Sequence, residues 1–133
     1  MKRIIISLVF VLCFGMVKAQ YIYNDLHNAI CRVHIIQEEA FDFYCGGIKA
    51  AMVKNDIVYN GSGIKTGVVK DDILYDELGN IICIIKRGAF YSGGNKVAFV
   101  KNDIVYDGVG NKIVAVNGLT MMQIAIYIFL IAN

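Results

Sequence analysis

The heptapeptide VKNDIVY, residues 53–59, returns unchanged at residues 100–106, and VKDDILY stands between them at 69–75. A phrase written three times in 133 residues marks a tandem array of one supersecondary unit. With tyrosine as anchor, Tyr23, Tyr44, Tyr59, Tyr75, Tyr91 and Tyr106 define six copies, the last five spaced 15, 16, 16 and 15 residues apart. Four copies are long: IYNDLHNAICRV (22–33), VYNGSGIKTGVV (58–69), LYDELGNIICII (74–85) and VYDGVGNKIVAV (105–116). Copies two and five, FYCGGIKAAMV (43–53) and FYSGGNKVAFV (90–100), are one residue shorter and carry Gly-Gly at the deletion.

The deletion falls in a turn. In the long copies an Asn or Asp after the Tyr caps a type I turn with its side chain, and Gly63, Gly79 or Gly110 follows where positive φ is required. His27 takes that glycine slot in the first copy. A Gly-Gly pair suits the tighter two-residue hairpin. Each unit therefore reads as two short strands. Units are joined by tight reversals such as Lys54-Asn55-Asp56-Ile57, which predicts an antiparallel meander of about twelve strands. Only the first join differs: residues 34–42 lengthen it and place Gln37, Glu38 and Glu39 in a polar patch.

Aligned second strands end in Val33, Val53, Val69, Ile85, Val100 and Val116. Two residues earlier, on the same face, stand Cys31, Ala51, Gly67, Cys83, Ala98 and Val114, which are mostly small. Small side chains at one level and branched ones at the next suit the taper of a closed sheet. Cys31 and Cys83 are expected as small buried side chains in that slot rather than as a bond or a reactive thiol. The middle of the ring needs a filler. After Asn117-Gly118 the period of two stops, and LTMMQIAIYIFLIA (119–132) is apolar on all sides, with Thr120 and Gln123 spaced as a capping box. A buried central helix is expected there. Fourteen helical residues span only about 21 Å, short of a bilayer core of about 30 Å.

Lys2 and Arg3 precede an apolar run to Phe14, and Val17-Lys18-Ala19 supplies small residues before a cut, which reads as a signal peptide over residues 1–19. Residues 20–133 then form a single domain, with hairpins over 20–118 and the helix over 119–132, in a protein that is periplasmic, held in the cell envelope or secreted. Loss of Lys2, Arg3 and Lys18 leaves ten basic against eleven acidic residues, a net charge of about −1. Most of the basic residues sit singly between apolar stretches, so no field draws nucleic acid or anionic lipid.

The pattern resembles the bacterial five-fold β-flower proteins, exported chains of tandem I-Y-D-x-x-G units followed by a short hydrophobic helix. The resemblance rests on Ile22-Tyr23-Asn24, Val58-Tyr59-Asn60, Leu74-Tyr75-Asp76 and Val105-Tyr106-Asp107, on Gly63, Gly79 and Gly110, and on the small residue Gly67. It implies a shallow radial β-barrel of petal-like hairpins around the helix, tubby-like in outline, and it implies no activity. Six copies stand here where the family name counts five.

Candidate sites weigh lightly. His27, Cys31 and His34 have a spacing that seeds a metal site only if a fourth ligand such as Cys45 comes near, and Cys31 and His34 face opposite sides of a strand. The glycine clusters open no helix after a strand, so they are turns and not phosphate loops. Asn55-Asp56, Asp71-Asp72 and Asn102-Asp103 offer two or three oxygens each where calcium takes about six to eight. Ser62 and Ser92 lie in turns with no histidine beside them, and Glu38-Glu39 and Asp71-Asp72 are splayed neighbours. No catalytic residue, metal ligand or cofactor is assigned, and an enzyme is not expected. The tyrosine column is read as wall structure, with a binding mouth as its functional counterpart. The expected function is that of a structural or binding module, with an envelope protein as one kind of partner. The alternative is lipid or membrane-surface binding through the apolar helix or the barrel mouth.

Overall fold

The computed structural model describes residues 20–37 and 39–132. The signal-peptide reading of residues 1–19 and the placement of Glu38 lie outside the described residues. Twelve strands follow one another: β1 Tyr21–Tyr23, β2 Ala29–Gln37, β3 Ala40–Cys45, β4 Ile48–Lys54, β5 Ile57–Asn60, β6 Lys65–Lys70, β7 Ile73–Asp76, β8 Ile81–Lys86, β9 Ala89–Ser92, β10 Asn95–Lys101, β11 Ile104–Asp107 and β12 Lys112–Asn117. Each pairs antiparallel with the next, and β1 pairs with β12 through Ile22 and Val116, so the meander closes into a barrel. All six hairpins lie in the ring.

Local chemistry makes each reversal. At Asn55-Asp56, Asp71-Asp72 and Asn102-Asp103 both residues have positive φ, between 52° and 66°. That is the backbone of a two-residue hairpin turn whose twist matches its strands, and Asn and Asp accept it readily. Gly46-Gly47 and Gly93-Gly94 do the same inside the short units. In the long units the capping reading holds: the Ser62 and Ile64 amides donate to Asn60 Oδ1 at 2.9 and 3.0 Å, and Asp76, Asp107 and Asn24 repeat the pattern. His27 sits at φ +63° in the slot held elsewhere by glycine and stacks its ring on Tyr23 at 4.6 Å.

The residue before each anchor tyrosine points inward. Ile22, Phe43, Val58, Leu74, Phe90 and Val105 are all fully buried. Each is paired directly with the small residue of its own unit: Cys31, Ala51, Gly67, Cys83, Ala98 and Val114 in turn. Size is exchanged across the pair, since both Phe face Ala. Immediately beyond it every hairpin slips register by one residue, so Val58 faces Gly67 while Tyr59 faces Lys65. Six such bulges add bend and twist at the same level all round. Short strands can thereby curl shut.

A pseudo-twofold relation emerges from the pairing. Units one to three match units four to six: Ile22 with Leu74, Phe43 with Phe90, Val58 with Val105, and long, short, long in turn length. Gly61 and Gly108 occupy equivalent places, each following a Gly-Gly unit. A β-carbon at Gly108 would lie 2.6 Å from the Lys96 carbonyl oxygen, and one at Gly61 would collide with the Lys49 carbonyl.

Eight strands already enclose just enough room for side chains, so twelve leave a void. The tail fills it. Helix α1, Met121–Ile126, starts with the expected capping box: the Gln123 amide donates to Thr120 Oγ1 at 3.1 Å and the Thr120 amide donates to Gln123 Oε1 at 2.9 Å. Gln123, Ile124, Ala125, Ile126 and Tyr127 are buried. From Tyr127 to Ile131 the helix widens into a π-helix, a departure from the uniform helix expected over 119–132. Phe129 meets Phe90 edge-on at 6.3 Å, and Leu130 reaches Gly67.

Two expectations are corrected. Residues 34–42 are not only a connection between units but extend the two strands: His34 pairs with Asp42, Ile35 with Phe41 and Gln37 with Ala40, so the ladder continues past the length of the other joins. Cys31, though buried in the small slot, is not a free thiol. It faces Cys45 across β2 and β3 and is disulfide-bonded to it, in the register that also sets Ala51 against Asn60, Gly67 against Asp76 and Ala98 against Asp107. Cys83 is free and buried, as expected.

Candidate functional site

The lengthened β2–β3 hairpin rises past the barrel on the rim that carries the joins between units. Its inward residues Ile35 and Phe41, the wall residues Val53 and Val69, and Met122 and Ile126 of α1 enclose a cavity of about 320 Å³. The floor is apolar because these positions continue the inward face of the ladder. Gln20, Glu39, Asp56, Thr120 and Gln123 form its polar edge.

The helix cap shapes that edge. Buried Gln123 spends its carbonyl oxygen on the Thr120 amide, and its Nε2 donates to Gln20 Oε1 at 3.5 Å. Gln20 Nε2 in turn donates to the Gly118 carbonyl at 2.8 Å. This chain of side-chain amides ties β1 to the helix entrance. The cavity can take a small apolar body, with hydrogen-bond donors or a cationic group turned to the Glu39 and Asp56 carboxyls. Two acidic side chains at the mouth disfavour an anion.

Asp42 is not singled out by the sequence, where residues 34–42 read as a lengthened connection between units. It lies on the outer face of β3, 4% exposed, with Oδ2 3.6 Å from Lys49 Nζ and Oδ1 without a hydrogen-bond partner. His34 stands opposite on β2. A strand alternation continued through residue 42 is the signal that would have found it.

The His27, Cys31, His34 and Cys45 set is dispersed. Both sulfurs are consumed by the disulfide, His27 is at a turn tip and His34 is exposed on the outer wall. Among the described residues no three His, Cys, Asp or Glu side chains converge. The Asp joins are exposed hairpin tips, as are Ser62 and the glycine clusters. The tyrosine column is half-buried on the outer wall, where Tyr44 lies under Arg32 at 4.8 Å and Tyr106 stacks on Phe99 at 5.0 Å. It does not line the mouth. Among the described residues no helix is long and apolar enough to cross a membrane.

No protein-family model matches this chain, and neither the curated proteins nor the solved structures contain a match to it.

Proposed function

We propose that the protein is an exported, non-catalytic binding module, kin to the β-flower proteins with six hairpins in its ring, and that it holds a small, mostly apolar ligand beside the helix entrance. The cavity carries this reading: about 320 Å³, apolar below and acidic at the edge, in the size range of ligand pockets. The Cys31–Cys45 disulfide supports an oxidising compartment, whether periplasm, envelope or exterior. The closed ring around an apolar helix supports the kinship.

Titration with Nile red, a neutral apolar fluorophore, tests the cavity. One bound dye per chain is expected, with binding lost when Met122→Trp fills the space. Equal binding by that variant rejects the reading.

A second reading, contact with lipid or a membrane surface, is supported by the far end of the helix, where Ile128, Phe129, Leu130 and Ile131 remain partly exposed. Vesicle flotation decides it.

A further inference from the structure

The turn tips inside the units lie on the rim opposite the cavity, and they are apolar where hairpin tips are ordinarily polar. Leu26 is 80% exposed, Ile48 73%, Ile64 62%, Leu78 80% and Val109 84%. Five of six hairpins thus hold out one large apolar side chain each. We propose that this rim docks on a lipid bilayer, the five tips entering the acyl boundary. The proposal rests on the lipid reading above, and it extends the contact from the far end of the helix to the petal tips.

Three observations favour lipid over a protein partner. The tips are separate prongs on a ring, so a protein would need a matching pocket for each, whereas fluid acyl chains close around any of them. Behind the tips, four anchor tyrosines pair directly with lysines: Tyr44 with Lys49, Tyr59 with Lys65, Tyr91 with Lys96 and Tyr106 with Lys112. Tyrosine and lysine at one level are the side chains that settle at a headgroup layer, the ring or stem in apolar surroundings and the polar end in water.

Charge does not oppose that docking. The Lys65, Lys96 and Lys112 ammonium groups are at hand for phosphate, Lys49 being paired with Asp42, while the Asp76 and Asp107 carboxyls turn back onto their own hairpin amides. Counting Asp25 and Glu77, this rim is formally neutral, so insertion and not long-range attraction carries the binding. The helix runs toward the same rim, from Thr120 at the cavity to Phe129 and Leu130 at the level of Phe90 and Gly67.

The test uses phosphatidylcholine vesicles, plain and doped with phosphatidylglycerol, and the purified protein. Binding to both is expected, and the triple variant Leu26→Ser, Leu78→Ser, Val109→Ser should bind at least about tenfold more weakly, since affinity scales with inserted apolar area. The chain has no tryptophan, so Leu78→Trp is a unique reporter. Its emission should shift to the blue on adding vesicles, and that of Lys70→Trp on the other rim should not. No binding to either vesicle rejects the proposal together with the lipid reading. Undiminished binding by the folded triple variant, or a blue shift only for Lys70→Trp, rejects the tips and leaves the lipid reading standing. Binding confined to a protein partner overturns both. Nile red binding in the cavity is untouched by any of these outcomes.

Discussion

Leu130 packs against Gly67 where a β-carbon has no room. One placed there would lie 3.1 Å from Leu130 Cδ1 and 2.7 Å from the Tyr75 carbonyl oxygen. In the pseudo-equivalent position of unit six stands Val114, facing Val105 as Gly67 faces Val58. The plug has no twofold symmetry, so one half of the wall must give way to it. Gly67→Val is expected to destabilise the fold by about 1 to 3 kcal/mol through overpacking, read as a lower urea midpoint. An unchanged midpoint would mean that the helix is not seated as described.

Removal of residues 119–133 takes away Ile124, Ala125, Ile126 and Tyr127 from the centre of the core. Twelve short strands cannot close on nothing. The truncated chain should aggregate and lose its circular dichroism signal. A soluble monomer with an unchanged spectrum would refute the plug.

The Cys31–Cys45 bond spans 14 residues at the base of the longest hairpin. Closing a loop of that size restricts the unfolded chain by about 3 kcal/mol. Cys31→Ala with Cys45→Ala should lose a comparable amount in denaturant, and the Glu39 end of the flap should exchange its amide hydrogens faster. Equal stability of the double variant would assign the hairpin's order to its ladder alone.

Burial pushes the Cys83 thiol up to about 11 from an ordinary 9.0, and it raises the Tyr127 hydroxyl too. Both groups are neutral when protonated, so the unfolded chain loses these protons first as pH rises. Stability is then full below about pH 9 and falls between 9 and 11. A denaturation series over that range should slope downward, with a shallower slope for Cys83→Ala. At pH 8 a thiol reagent should modify Cys83 only after unfolding.

Asp107 accepts from the Val109 and Asn111 amides at 3.0 and 2.8 Å, and those bonds hold its carboxyl below the usual range. The turn is therefore tightest above the ordinary carboxyl pKa and loosens as pH falls through the lowered one. Asp107→Ala should speed amide exchange at Val109 and Asn111 at neutral pH, and wild type should approach that rate only in acid.

The amino-acid order determined by itself whatever depends on neighbours in the chain. The six-copy repeat, the Asx-capped and Gly-Gly turns, the inward column from Cys31 to Val114 and the Thr120 capping box all arise from contacts within a few residues, and each left a local pattern. Closure of the ring was readable only as a demand, since an all-apolar tail needs somewhere to be buried. The tertiary structure decided what depends on residues far apart: the ladder that carries residues 34–42 up as a flap, the cavity under that flap, and the side of the wall on which Leu130 leans. Those follow from how twelve strands and one plug fill a single volume, and packing of that kind is a property of the closed ring, absent from any one unit.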